Sequence, residues 1–305
     1  MIYTVTLNPA IDYVVSLDAF HPGEVNRSAS DYKEAGGKGI NVSRVLDRFD
    51  VSTTALGFIG GFTGKYITDY LTDMNIEHDF VSLQQDTRIN VKLKAAGEES
   101  EVNGVSPTID EEAYQTFIAK LEQLKEGDIV VLAGSLPSSL PSDTYKEIVA
   151  MLKQKGVMTI LDTSGTPLTE ALKASPAFVK PNHHELAELF DTEVKNDADV
   201  VTLAKRLHEE QQIDHVLISM AKDGAIYVGT GGVMKLSAPQ GTAVNSVGAG
   251  DSAVAGFIYG WQSLENAEAA AKYAVASGSA TAFSKTLCTK EEVEALLPTV
   301  SIEHI

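Results

Sequence analysis

Short, almost wholly apolar runs recur along the chain, separated by longer stretches of helical periodicity. Residues 129–133 (IVVLA), 157–161 (VMTIL), 177–179 and 216–219 predict strands buried on both faces. Between them, 143–155 and 198–211 predict helices. Residues 39–49 do the same, because Val42, Val45, Leu46 and Phe49 fall at i, i+3, i+4 and i+7 on one face. Buried strands alternating with helices give a mostly parallel sheet covered on both sides, an α/β fold. Two segments break the rhythm. Residues 10–34 and about 86–106 read as strands and turns without a helix, which predicts a small antiparallel β sheet projecting from the core as a lid.

The 305 residues, 44% hydrophobic and 22% charged, are ordinary globular values, and no Pro/Gly/Ser linker divides them. One domain over 1–305 is therefore expected, with the lid drawn from 10–34 and 86–106. Acidic residues outnumber basic ones by 42 to 24, a formal charge of −18. That balance argues against nucleic acid or an anionic membrane as partner, since both need a basic face. The single cysteine, Cys288, excludes an internal disulfide and a Cys-rich zinc site. It suits a reducing, cytoplasmic setting. No basic leader with a long apolar run opens the sequence, and no later run is long enough to span a bilayer.

Three glycine clusters compete as anion-binding loops. GFIGGFTGKY (57–66) resembles a P-loop at a glance, but Ile59 stands where the first Gly belongs and Tyr66 where Ser or Thr should follow the Lys. It reads as a turn into a helix. Gly248-Ala249-Gly250-Asp251-Ser252-Ala253 fits G-x-G-x-x-A, yet begins too late for a dinucleotide-binding half built forward from it. A helical pattern follows at once, so free amides and the helix dipole there suit a phosphate. Asp251 is then a charged base beside an anion hole or a plain helix-start residue. Gly36-Gly37-Lys38-Gly39 also opens an amphipathic helix, with Lys38 and Asn41 offering a charge and an amide.

The blocks TLNPAID, GGKGINVSR, DTRINVKL, AGSLPSSLP, KPNHHEL and NSVGAGDS occur in that order from Asn8 to near Ser279. Together they resemble the ribokinase-like, PfkB-type sugar kinases, and most of all the branch that phosphorylates fructose 1-phosphate. Tagatose 6-phosphate kinases form a sibling branch. The resemblance implies a three-layer ribokinase-like core with a β lid, and ATP with Mg²⁺ as cofactors. It implies that Asp251 is the catalytic base and that Gly248, Ala249 and Gly250 form the anion hole. Phosphoryl transfer needs mainly positioning, charge neutralisation and one base, which agrees with that division.

By the same resemblance Asn182 and Glu185 form an N-x-x-E motif, with Glu185 approaching Mg²⁺ through water, and Lys180 lies on the nucleotide side. His183 and His184 read as surface histidines. Ser219, Met220, Ala221, Lys222, Asp223 and Gly224 match a loop lining the ATP site, and Gly278 sits in a small-residue helix that lets adenine approach. Asp12, Gly37 and Asn41 match the sugar hydroxyl site. Arg27, Lys38 and Arg88, with Asn90 and Ser135 as polar neighbours, match the site of the phosphate already on the substrate. An Arg fork suits that phosphate. A homodimer through the lid is implied as well. A non-catalytic sugar-phosphate sensor is the rival from another class, although such a chain would more readily have lost Asp251 or its glycines. An acidic chain binding anionic ligands must gather local positive potential, so Arg27, Lys38, Arg88 and Lys180 are expected to converge in one pocket.

Overall fold

The computed structural model describes residues 1–305. The chain opens with β1 (Ile2–Thr6), β2 (Ala10–Leu17) and β3 (Ser30–Gly36), then α1 (Lys38–Arg48), β4 (Thr54–Gly60) and α2 (Gly61–Asp73). Short β5 (Glu77–His78) and β6 (Val81–Leu83) lead into the hairpin β7 (Arg88–Ala95) and β8 (Glu98–Val102). There follow α3 (Glu111–Leu121), β9 (Ile129–Ala133), α4 (Thr144–Gln154), β10 (Met158–Asp162), α5 (Gly165–Leu172) and β11 (Phe178–Val179). Next are α6 (His183–Leu189), α7 (Asp197–Gln211), β12 (His215–Ser219), and the hairpin β13 (Ala225–Gly229) and β14 (Gly232–Leu236). Last come α8 (Ala249–Leu264), α9 (Ala267–Phe283), α10 (Lys290–Leu296) and β15 (Ile302–His304).

The main sheet runs β15-β14-β13-β12-β11-β10-β9-β1-β4-β5, with β6 also on β4. It is parallel from β12 to β5 and antiparallel from β12 to β15. Side chains alternate across a strand, so β9 serves two cores at once. Val130 and Leu132 pack under α3, α4, α5 and α7 with Phe117, Tyr145, Leu168 and Leu203. Ile129, Val131 and Ala133 pack under α1, α8 and α9 with Val42, Phe257 and Ala274. The result is a three-layer α/β fold whose core strands read as continuous apolar runs because both faces are covered.

The second sheet, β3-β2-β7-β8, comes from the two segments that broke the α/β rhythm. Both outer ladders are antiparallel, while β2 and β7 run parallel with Asp12 opposite Asn90. Its root is anchored: Ile11 and Ala35 join Ile59 and Ile67 in a third apolar cluster. Its two faces differ by the strand period of two. Asp12, Asn90, Lys92 and Glu34 share one face; Tyr13, Val15, Val91 and Leu93 share the other. The segment 57–66 is the end of β4 and the first turns of α2, and Lys65 pairs with Asp69 at 2.6 Å on the surface. It is the strand–helix turn its sequence suggests.

Candidate active site

Polar groups of an α/β sheet gather beyond the carboxyl ends of its strands, where backbone groups are free. Five neighbouring strands end in such groups, and the sheet order sets them in a row. Ser219 closes β12, Lys180 follows β11, Asp162 closes β10, Ser135 lies just past β9 and Asn8 just past β1. Helices α1 and α8 pack together above this row, bringing Asn41 against Asp251 across 210 positions of sequence.

Asp251 sits in the first turn of α8, 6% exposed, and Oδ2 accepts 2.8 Å from Asn41 Nδ2. Burial and the nearby Asp162 carboxylate push its pKa up to about 6, against the opposing pull of Lys38, Asn41 and Lys180. A carboxylate so poised is ionised at neutral pH yet takes a proton readily. The helix begins at Gly248, whose φ of 79° is the left-handed conformation that glycine adopts without strain. Ala249 N–H reaches Ser246 O at 3.2 Å, whereas the Gly250 and Asp251 amides have no backbone acceptor. Open donors at the positive end of a helix suit an anion. A methyl added at Gly250 would stand 3.2 Å from Lys180 Nζ, so the glycine leaves the gap between amide and ammonium open.

Asp162, absent from the sequence-derived set, organises the cations. It is 3% exposed, with Oδ2 at 3.2 Å from Lys38 Nζ and Oδ1 at 3.3 Å from Lys180 Nζ. Burial alone would raise its pKa; the Lys180 and Lys38 ammonium groups outweigh that and hold it below the usual carboxylate range. Burial likewise pulls on the Lys38 ammonium, but Asp162 and Asp251 prevail and keep its pKa raised. A buried carboxylate without such partners would be costly to desolvate. Asp162 thus fixes both lysines over the α8 start.

On the side toward the small sheet, Asp12 Oδ1 accepts from Asn90 Nδ2 at 3.0 Å and Lys92 Nζ lies 3.6 Å from Oδ2. Arg88 Nη2 donates to Asn8 O at 3.1 Å, and Asn8 Nδ2 to Ser135 Oγ at 3.3 Å. Asn8 Oδ1 and Arg88 Nε are buried without a partner. Gly37 precedes α1 with φ 134°, and a methyl there would meet Thr6 Cγ2 at 2.6 Å; only glycine lets this loop lie against β1.

On the opposite side of Asp251 lies a cleft of about 740 Å³. Its wall holds residues 219–224, Asn182, Ala249, Gly250, Ala274 and Gly278, so the whole sequence-derived nucleotide set borders one space except Lys180, whose ammonium faces Gly250 of that wall. Asn182 and Glu185 form a capping box at the start of α6. Asn182 Oδ1 accepts from the His184 and Glu185 amides at 2.9 Å, and Glu185 Oε2 from Asn182 N–H at 2.8 Å. Glu185 Oε1 takes no part in that box. No three His, Cys, Asp or Glu side chains converge as a metal cage. One carboxylate oxygen without a partner suits a Mg²⁺ that retains most of its waters, so the residues fit that ion through water. The rings of His183 and His184 lie 3.9 Å apart, tilted by 39°.

Arg27 does not join the cluster. It lies exposed on the loop between β2 and β3, with no ion pair or side-chain hydrogen bond. Lys38 and Lys180 converge on Asp162, Arg88 lies in the field of Asp12, and two further cations, Lys92 and Arg44, pair with Asp12 and Glu34. Sequence reasoning missed those two and Asp162. Each carried a periodic signal: Lys92 is two strand positions from Asn90, Arg44 is three helix positions from Asn41, and Asp162 ends a buried parallel strand.

Residues 5–293 match the pfkB family of carbohydrate kinases. The chain is 50% identical over 305 residues, all of both proteins, to 1-phosphofructokinase of Bacillus subtilis (strain 168). It is 37% identical over 263 residues, 85% of each, to tagatose-6-phosphate kinase of Staphylococcus epidermidis. Among solved structures it resembles the tetrameric inhibited form of phosphofructokinase-2 from Escherichia coli, with a TM-score of 0.90 and 27% identity over 98% of each chain. Sequence blocks, strand order and the polar row at the strand ends agree on one conclusion: the chain belongs to the pfkB family of carbohydrate kinases.

Proposed function

We propose that the chain transfers the γ-phosphoryl group of ATP to the free primary hydroxyl of fructose 1-phosphate, giving fructose 1,6-bisphosphate. The observation that carries this reading is the placement of Asp251. It stands between the 740 Å³ cleft and the small-sheet side, beside open amides, with Asn41 holding one carboxylate oxygen. ATP lies in the cleft with its phosphates toward Gly248–Gly250 and Lys180. The sugar lies under the small sheet, its hydroxyls on Asp12 and Asn41, its phosphate on Arg88, Lys38, Ser135 and Asn90. Asp251 takes the hydroxyl proton as the oxygen attacks, and the amides with Lys180 meet the charge on the transferred group. Glu185 would hold Mg²⁺ through water, and the ion would add neutralisation of the phosphates.

The whole chain works as one kinase domain with the small sheet as its lid. A second copy covers the apolar face of that sheet. Tyr13, Val15, Val91 and Leu93 lie there half-buried, beside Ile89 at 40% and Val102 at 65% exposure. In such a homodimer the exposed Arg27 has a route to a site beyond its own chain. Sedimentation velocity should give twice the chain mass of 32.6 kDa, and Val91→Asp should return the single-chain mass; a monomeric wild type would contradict the dimer. The buried thiol of Cys288 suits the cytoplasm, and no helix is long and apolar enough to cross a membrane.

The second substrate reading is tagatose 6-phosphate, favoured by the 37% identical relative. It too presents a phosphate at one end and a primary hydroxyl at the other. ADP release measured with a panel of sugar phosphates separates the readings. Fructose 1-phosphate is expected to give the highest kcat/KM. A higher value for tagatose 6-phosphate would reassign the substrate, and no nucleotide-dependent turnover with any sugar phosphate would favour the sensor.

A further inference from the structure

Arg44 is the least explained charge near the site. It lies on α1, 4% exposed, one helical turn beyond Asn41. Nη1 donates to Asn41 Oδ1 at 3.1 Å, and Nη2 lies 3.3 Å from Glu34 Oε1 on β3 of the small sheet. The guanidinium carbon sits 5.3 Å from the centre of the Tyr70 ring on α2, and Nε is buried without a partner. A buried cation that leaves one donor unmatched is costly to keep for packing alone. Its contacts must be doing something more.

The chemistry of the chain of contacts is directional. A guanidinium has donors only, so Asn41 must turn its oxygen toward Arg44. The Asn41 amide nitrogen therefore faces Asp251, 2.8 Å from Oδ2. That leaves Oδ1 of Asp251 free for a substrate proton. The acceptor-only carboxylate holds one end of the amide and Arg44 the other, so without Arg44 the amide is fixed from one side only and can swing with Asp251.

We propose that Arg44 is a positioning residue: it fixes the orientation of the Asn41 amide, and so of Asp251, and ties that orientation to strand β3 of the small sheet through Glu34. This rests on the reading of Asp251 as the base. Around Asp251 the charged groups are Lys38 on α1, Asp162 at the end of β10 and Lys180 after β11. Around Arg44 they are Glu34 on β3 and the phenols Tyr66 and Tyr70 on α2. None of these replaces a donor aimed at Asn41 Oδ1.

The sign of the pH effect follows. Asp251 acts ionised, so activity falls as pH drops through its raised pKa. Loss of a fixed donor raises that pKa further and moves the acid limb of kcat/KM upward. The substrate phosphate titrates equally in wild type and variant, so the displacement between them is what counts.

The test is a double-mutant cycle with ATP and fructose 1-phosphate. Arg44→Met is expected to lower kcat by about 10- to 100-fold with both KM values within about 3-fold, and to shift the acid limb upward. Arg44→Lys, which keeps the charge but not the fork, should recover part of kcat. In an Asn41→Ala background Arg44→Met should cost less than about 2-fold more, because both act through one amide. Additive losses, a change confined to KM, or an unmoved acid limb would overturn the proposal. Should Arg44→Met fail to fold, Arg44→Lys decides: wild-type kcat with an unshifted limb overturns it. Asp251→Asn run in parallel separates the two levels. Its full activity would sink the base assignment, whereas its inactivity beside silent Arg44 variants would sink the relay alone.

Discussion

On the proposed nucleotide side of Asp251 the part of the wall made by α8 and α9 and the strand β13 is small, with Ala225, Ala253, Ala274 and Gly278, whereas the proposed sugar side presents Asp12, Asn90, Lys92, Arg88 and Asn8. The first wall gains its shape from missing side chains. Helices α8 and α9 approach so closely that a methyl at Gly278 would lie 3.2 Å from Ala249 O. The second wall gains its shape from side chains that hold one another across elements far apart in sequence. On the proposed reading, volume specifies the nucleotide side and hydrogen-bond direction the sugar side. Substitutions should accordingly act through different kinetic constants on the two sides, with Asp251 and the α8 start common to both.

The largest effect outside Asp251 is expected at that common point. Gly248→Val places a β-branched residue at φ 79°, a conformation such residues avoid, and the start of α8 must shift. Misplacing one anion-hole donor typically costs about 10²–10³ in rate, so kcat should fall by about that much for every sugar phosphate. Near-normal kcat in a folded Gly248→Val chain would remove the anion hole from the account. A smaller and one-sided effect is expected from Ser279→Leu, which adds bulk to the cleft wall. It should raise the KM for ATP about 10-fold, roughly 1.4 kcal/mol, and leave the KM for sugar phosphate unchanged. Equal changes in both would erase the distinction between the two walls.

That distinction also governs what could be read from the sequence. The parallel core was legible because its strands are apolar on both faces, and 129–133 is strand β9 to the residue. The glycine-led helix starts were legible because turn geometry demands glycine locally. The parallel pairing of β2 with β7 was not, since its partners lie 78 positions apart and no local pattern marks strand direction. Asp162 escaped notice because one carboxylate after an apolar strand looks like a strand end; only the neighbouring strands show that Lys38 and Lys180 converge on it. Arg44 and Lys92 were hidden for the same reason, as their partners Glu34 and Asp12 belong to other strands. Arg27 departs from the expected cluster within one chain. Its charge matched a motif, but its loop carries it into solvent.

Asp251 is where both walls meet, and replacing it tests the account most directly. The measurement is kcat for Asp251→Asn with fructose 1-phosphate and ATP, alongside calorimetric binding of each substrate. Removing a general base costs about 10²–10⁴ in rate, about 3–5 kcal/mol of barrier. The account predicts a loss of that size in kcat, with binding of both substrates within a few-fold of wild type. A folded Asp251→Asn chain that turns over at near the wild-type rate would contradict it.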